Sequence, residues 1–113
     1  MIKLKNILSE DKQETEFESF AETRMAGAEK IADNAQEKGG LALLTWHHFK
    51  VKLPYYKKAT EGKLDTKDMK TEYNTLLEQL YSGTKDGMNI TQIQFQELVG
   101  KIEVLGELII KHS

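Results

Sequence analysis

The chain has 113 residues, of which 39% are hydrophobic and 30% are charged, a balance that is typical of one globular domain and excludes an intrinsically disordered chain. It contains no cysteine, which excludes a disulfide framework, a thiol nucleophile and a thiolate metal site. The formal net charge is −2, and no stretch approaches the roughly 18 apolar residues of a membrane span. The composition predicts a single soluble domain over residues 1–113, in a cytoplasmic setting and without a membrane partner.

The first clear helix is predicted from about Thr15 to Lys38. Thr15 and Glu18 have the spacing of a capping box, and apolar residues then recur at steps of three and four. Gly39-Gly40 is predicted to end the helix, because glycine adopts the left-handed cap without strain. Residues 1–10 are predicted to form an N-terminal arm, either a helical turn or a docked extended segment.

The second helix is predicted from Leu41 to about Leu53 and is apolar on two opposite sides. One narrow sector contains Ala42, Trp46, Phe49, Leu53 and Tyr56. The opposite side contains Leu41, Leu44, His48, Val51 and Tyr55. A helix with two apolar faces is buried between neighbouring helices or covers one face with another molecule, so the second set is a candidate interface. Pro54 is predicted to kink the helix or to open a new short one.

The third helix is predicted to begin at Asp65, an N-cap flanked by the hydrophobic staple Leu64 and Met69, and to end at Gly83. The fourth is predicted to begin at Thr91, which forms a capping box with Gln94.

Residues 91–96 also alternate polar and apolar side chains, so a strand there is the alternative. The predicted fold class is all-α, a compact bundle or orthogonal array of four to five helices.

Sequence reasoning finds no catalytic constellation and predicts a protein that is not an enzyme and has neither cofactor nor metal. The adjacent His47 and His48 could serve a metal-dependent enzyme, but neighbouring helical residues point about 100° apart and cannot easily chelate one ion. Arg24, the only arginine, lies on the apolar stripe of the first helix. It is expected to form an ion pair inside the bundle or, alternatively, to bind an anion.

Residues 46–63 interleave lysines with aromatic residues, a pattern that suits single-stranded nucleic acid. The candidate contacts are Lys50, Lys52, Lys57 and Lys58, with Tyr55 beside them. The alternative is a solvated lysine edge that meets the acidic first helix.

The opening residues 1–10 resemble the starts of small uncharacterised proteins from marine T4-like bacteriophages. Residues 39–50, continuing to Pro54-Tyr55-Tyr56, are similar to a segment of the same proteins. This stretch is also faintly similar to a bacterial and viral domain family of unknown function with a His…Pro-x-Tyr-Tyr pattern, from which it departs because Pro54 directly precedes the tyrosine pair. The resemblance implies a phage origin and a cytoplasmic setting, and it carries over no functional residues.

Together these patterns predict a non-enzymatic helical protein-protein interaction or assembly protein that forms a homo-oligomer. The alternative is a small nucleic-acid-binding accessory protein that uses residues 46–63.

Overall fold

The computed structural model describes the backbone of residues 2–112 and the side chains of residues 16–112. This part of the chain forms five helices: α1 (Ile2–Lys38), α2 (Ala42–Lys50), α3 (Leu53–Thr60), α4 (Thr66–Thr84) and α5 (Gln92–His112). The prediction of an all-α fold with four to five helices is confirmed. No described helix is both long enough and apolar enough to span a bilayer.

The helix boundaries follow the glycine and proline signals closely. Gly39 and Gly40, with φ of +66° and +58°, separate α1 from α2. Pro54 lies in the first turn of α3, where its missing N–H breaks no helical hydrogen bond, so the predicted new short helix forms.

The start of α1 at Ile2 corrects the predicted start near Thr15. Residues 2–14 hold neither glycine nor proline, and they are rich in leucine, lysine and glutamate, which favour helix. The backbone of the predicted arm is therefore helical and continuous with α1, and the alternative of an extended segment is wrong.

Side-chain caps open α4 and α5. The Asp65 carboxylate accepts a hydrogen bond from the Lys67 amide at 2.7 Å. The Thr91 hydroxyl accepts from the Gln94 amide at 3.0 Å, and the Gln94 side chain accepts from the Thr91 amide at 2.9 Å. This reciprocal capping box starts a helix, so the strand alternative for residues 91–96 is wrong.

The core lies where α5 meets its neighbours. α5 packs against α2 and α4, and α1 packs against α2 and α3. The buried cluster consists of Ala21, Ala28, Tyr56, Ala59, Met69, Leu76, Val104, Leu105 and Leu108. The residues that α1 contributes to this cluster are alanines, which let the helix backbones approach closely. The molecule is flat, with extents of 60 × 32 × 15 Å.

Contacts along α5 give the helix directions. Phe17 packs edge-on against His112, and Arg24, two turns later in α1, bonds to Glu107, so α1 runs antiparallel to α5. Thr66, the first residue of α4, lies 2.7 Å from the His112 ring nitrogen near the end of α5, so α4 is antiparallel to α5 as well.

The α2 helix runs parallel to α5. His47 lies opposite Glu97, and Lys52, just beyond the end of α2, lies opposite Glu103. The carboxyl ends of α1 and α4 therefore lie at the same end of the molecule as the amino ends of α2 and α5.

Candidate interface and the polar seam between α2 and α5

The middle of the candidate interface is covered by α5 of the same chain. A Cβ built on Gly100 would lie 2.2 Å from the backbone oxygen of His48 and 2.8 Å from Val51 Cγ2. α5 thus contacts the backbone of α2 directly, and it does so only because residue 100 has no side chain. His48 and Val51 therefore pack mostly against α5 of the same chain.

His48 is held between two side chains of α5. Its Nδ1 lies 3.2 Å from Gln96 Oε1, and its Nε2 lies 3.0 Å from Glu103 Oε1. Only 13% of the histidine side chain is exposed. These contacts fix the ring orientation and the register of α2 on α5.

The other three candidate residues lie in different environments. Tyr55 is half-buried, and its hydroxyl donates to the Glu72 carboxylate of α4. Leu44 is half-buried, whereas Leu41 is 87% exposed directly after the glycine pair. The five residues therefore do not form one open surface, and Leu41 is the member that presents most of its side chain to solvent.

Two of the four candidate nucleic-acid lysines form ion pairs with α5. Lys52 is 8% exposed, and its Nζ lies 2.9 Å from Glu103 Oε1. Lys50 Nζ lies 3.9 Å from Glu97 Oε2 and 4.1 Å from the centre of the Trp46 ring. These two lysines meet the acids of α5 instead of an acidic face of the first helix, which corrects that expectation.

Lys57 and Lys58 are exposed on α3 and form no ion pair with any residue whose side chain the structure describes. They are the two members of the lysine set that no described side chain pairs with.

The two histidines face different glutamates, as expected from their angular separation. His47 Nδ1 lies 3.5 Å from Glu97 Oε2 and is buried without a hydrogen bond to a described residue, whereas His48 faces Glu103. Among the described side chains, no group of three or more histidines and carboxylates is placed to hold a metal ion.

Arg24 forms the predicted ion pair, with Glu107 of α5, but the pair lies at the surface and not inside the bundle, since 53% of the arginine side chain is exposed. Its Nε donates to Glu107 Oε1 at 3.2 Å, and the Tyr56 hydroxyl donates to the same oxygen at 2.7 Å. Burial raises the pKa of Glu107, but the hydrogen bonds from Arg24 and Tyr56 outweigh it and leave that pKa below its ordinary value. The contact ties α1 and α3 to α5.

The pKa of Glu103 shows the same balance. Burial raises the pKa of Glu103, but the hydrogen bonds from Lys52 and His48 lower it by more, so that this pKa also lies below its ordinary value. Together Glu97, Glu103 and Glu107 form a polar seam along one flank of α5 that pairs with cations and ring nitrogens from α1 and α2 and from the turn after α2.

Sequence reasoning missed this seam because it assigned α5 only by its apolar stripe. The available signal was the four-residue step from Glu103 to Glu107, which places both carboxylates on the same side of a helix.

Eight large apolar side chains are exposed on the described surface. They are Ile31, Leu41, Leu43, Leu77, Tyr81, Met88, Ile93 and Ile110. Leu41, Tyr81, Met88 and Ile110 are more than half exposed, at 87%, 68%, 56% and 79%. Single exposed apolar residues are ordinary, so their distribution over the molecule decides what they mean.

Comparison of the chain with protein-family models, curated proteins and solved structures found no match to any of them.

Proposed function

We propose that this chain is a non-enzymatic helical protein-protein interaction or assembly protein, and that it associates with itself. The observation that carries the proposal is the exposure of large apolar side chains, above all Leu41 at 87%. Covering one such side chain fully contributes about 1.5–3 kcal/mol, whereas association costs about 4–15 kcal/mol in lost translational and rotational freedom, so several of them must be covered together to hold a partner.

The charge arrangement supports a protein partner over a polyanion. Lys50 and Lys52 lie opposite Glu97 and Glu103, so their charge is largely neutralised within the chain. A nucleic-acid surface needs several open cations to displace counterions from the phosphates. Of the candidate set, Lys57 and Lys58 alone have no ion pair with a described side chain, and two cations are few for that purpose.

A phage origin, with the host cytoplasm as the setting, is part of the proposal. It rests on the resemblance carried by residues 1–10 and 39–56.

Self-association is tested by sedimentation equilibrium of the full chain over a range of protein concentrations. We expect the average mass to rise with concentration and to depend only weakly on salt, because apolar contacts are not screened. A strictly monomeric mass at the highest concentration would contradict self-association.

The nucleic-acid alternative is tested by fluorescence titration with single-stranded DNA at two salt concentrations, using Trp46 as the reporter. We expect no binding of single-stranded DNA at either salt concentration. Binding at low salt that weakens at high salt would favour the alternative instead.

A further inference from the structure

Four helix ends meet at one end of the molecule: the carboxyl ends of α1 and α4 and the amino ends of α2 and α5. Gly39-Gly40 joins α1 to α2 there, and residues 85–91 join α4 to α5. At the opposite end, α5 finishes beside Phe17 and Thr66, near the middle of α1 and the start of α4.

Seven of the eight exposed large apolar residues lie in the halves of their helices nearest this end, or in the connections there. α1 contributes Ile31, and the turn into α2 contributes Leu41 and Leu43. α4 and the connection after it contribute Leu77, Tyr81 and Met88, and α5 contributes Ile93. We call these seven residues the apolar end. The eighth, Ile110, lies near the carboxyl end of α5, away from these residues and beside the middle of α1.

We propose that the apolar end is the surface through which a second copy of this chain docks. This inference rests on the proposed function and specifies where self-association takes place. It replaces the central face of α2 as the contact, since α5 of the same chain already covers His48 and Val51 there.

The exposed area fits a second copy. The seven residues are between 38% and 87% exposed. With roughly 150–250 Å² for each fully exposed large side chain, the seven residues together leave about 700 Å² open, spread over α1, α2, α4, the connection after α4 and α5, against the ~800 Å² that each partner buries in a standard-size interface.

The charges around the apolar end fit self-pairing. Glu37 and Lys38 are adjacent and exposed at the end of α1, and Lys85 and Asp86 are adjacent and exposed after α4. An interface between two identical copies must be self-complementary, and neighbouring charges of opposite sign allow an acid of one copy to face a lysine of the other. An anionic lipid surface or a nucleic acid would call for a rim of one sign.

The test replaces, one at a time, two exposed residues of the apolar end and one exposed residue near the end of α5 by glutamate. We expect Leu41→Glu and Tyr81→Glu to raise the dimer dissociation constant at least 10-fold in sedimentation equilibrium. The matched control is Ile110→Glu, which makes the same kind of change at a 79% exposed site and should leave the constant within about 2-fold of wild type, because exposed changes away from an interface have small effects. Circular dichroism melts of all variants verify that they fold.

Tyr81→Lys repeats the test with the opposite charge and should weaken the dimer as well. If the wild type self-associates and neither Leu41→Glu nor the Tyr81 variants change its constant, the apolar end is not the contact, while the proposed function stands. If Ile110→Glu alone dissociates the dimer, the contact lies at the opposite end. A monomeric wild type at every concentration overturns the proposed function, and with it this inference.

Discussion

Gly100 is the residue at which α5 comes closest to α2. An added methyl would lie 2.2 Å from the His48 carbonyl oxygen, and a backbone atom cannot move aside as a flexible side chain can. We expect Gly100→Ala to destabilise the fold by about 1–3 kcal/mol, despite the higher helix propensity of alanine. Urea denaturation followed by circular dichroism measures this loss.

Gly27 provides the matched control. It lies in α1, is exposed, and no atom beyond its own helical surroundings lies within 4 Å of an added Cβ. Gly27→Ala should therefore stabilise the protein by about 0.5–1 kcal/mol, since alanine loses less backbone entropy in a helix. Equal losses of stability in the two variants would show that α5 does not approach α2 at Gly100.

Two glutamates of the polar seam predict the response to acid. The pKa values of Glu103 and Glu107 are lowered in the fold, so their stabilising contribution is present at pH values above about 4.5 and is lost as the pH falls below it. Glu103→Gln and Glu107→Gln should each flatten the acidic limb of the stability profile in urea denaturation. An acidic limb that is unchanged in both variants would contradict the assigned contacts.

Two tyrosines predict the response to alkali. Burial and the neighbouring Glu72 and Glu107 raise the pKa values of Tyr55 and Tyr56 above 10.0. Their contribution is fully present below pH 10 and is lost as the pH rises further. Phenylalanine at either position should lessen the alkaline loss of stability in urea denaturation from pH 9 to 11, and a steeper loss in either variant would count against these hydrogen bonds.

At the residue scale, the sequence predicted the directions in which side chains leave a helix better than the residues that they contact. The separation of about 100° between the directions of His47 and His48 follows from helical geometry alone. That their partners are Glu97 and Glu103 depends on α2 and α5 running in parallel, and this comes from the packing of elements about 50 residues apart in the chain.

At the scale of elements, the capping box of α5 can be tested directly. Thr91→Ala removes the acceptor for the Gln94 amide and should cost about 1 kcal/mol of stability in thermal denaturation. The control is Thr75→Ala, which deletes an exposed hydroxyl that bonds only to the carbonyl one turn earlier in α4. Because alanine has the higher helix propensity, the control should be neutral or slightly stabilising, and an equal cost in both variants would exclude a specific cap.

Local signals placed most element boundaries correctly. The glycine pair, Pro54, the Asp65 cap and the Thr91 capping box each act within about four residues, so the sequence alone reveals them. The predicted start of α1 at about Thr15 was wrong. A capping-box pattern does not begin a helix when the residues before it also favour helix.

For the whole molecule, the sequence predicted the fold class but could not predict which faces stay open. Leu41 and Val51 belong to the same predicted face of α2, yet the first is 87% exposed and the second is covered by α5. The difference arises because α5 comes closest to α2 at its carboxyl end, at His48 and Val51, and leaves Leu41 beside the glycine pair uncovered.

Self-association through the apolar end is tested most directly by the distance between spin labels on two copies. The chain has no cysteine, so one introduced cysteine carries one spin label per copy. Pulsed electron paramagnetic resonance then measures only distances between copies. A label at Asn89, beside the apolar end, should give a short and well-defined distance. A label at Lys63 lies about 30 Å further along the molecule, given the 19 residues of α4, and should give a distance of roughly 60 Å. A short distance at Lys63 with a long one at Asn89 would contradict this arrangement, as would no dipolar coupling at either position.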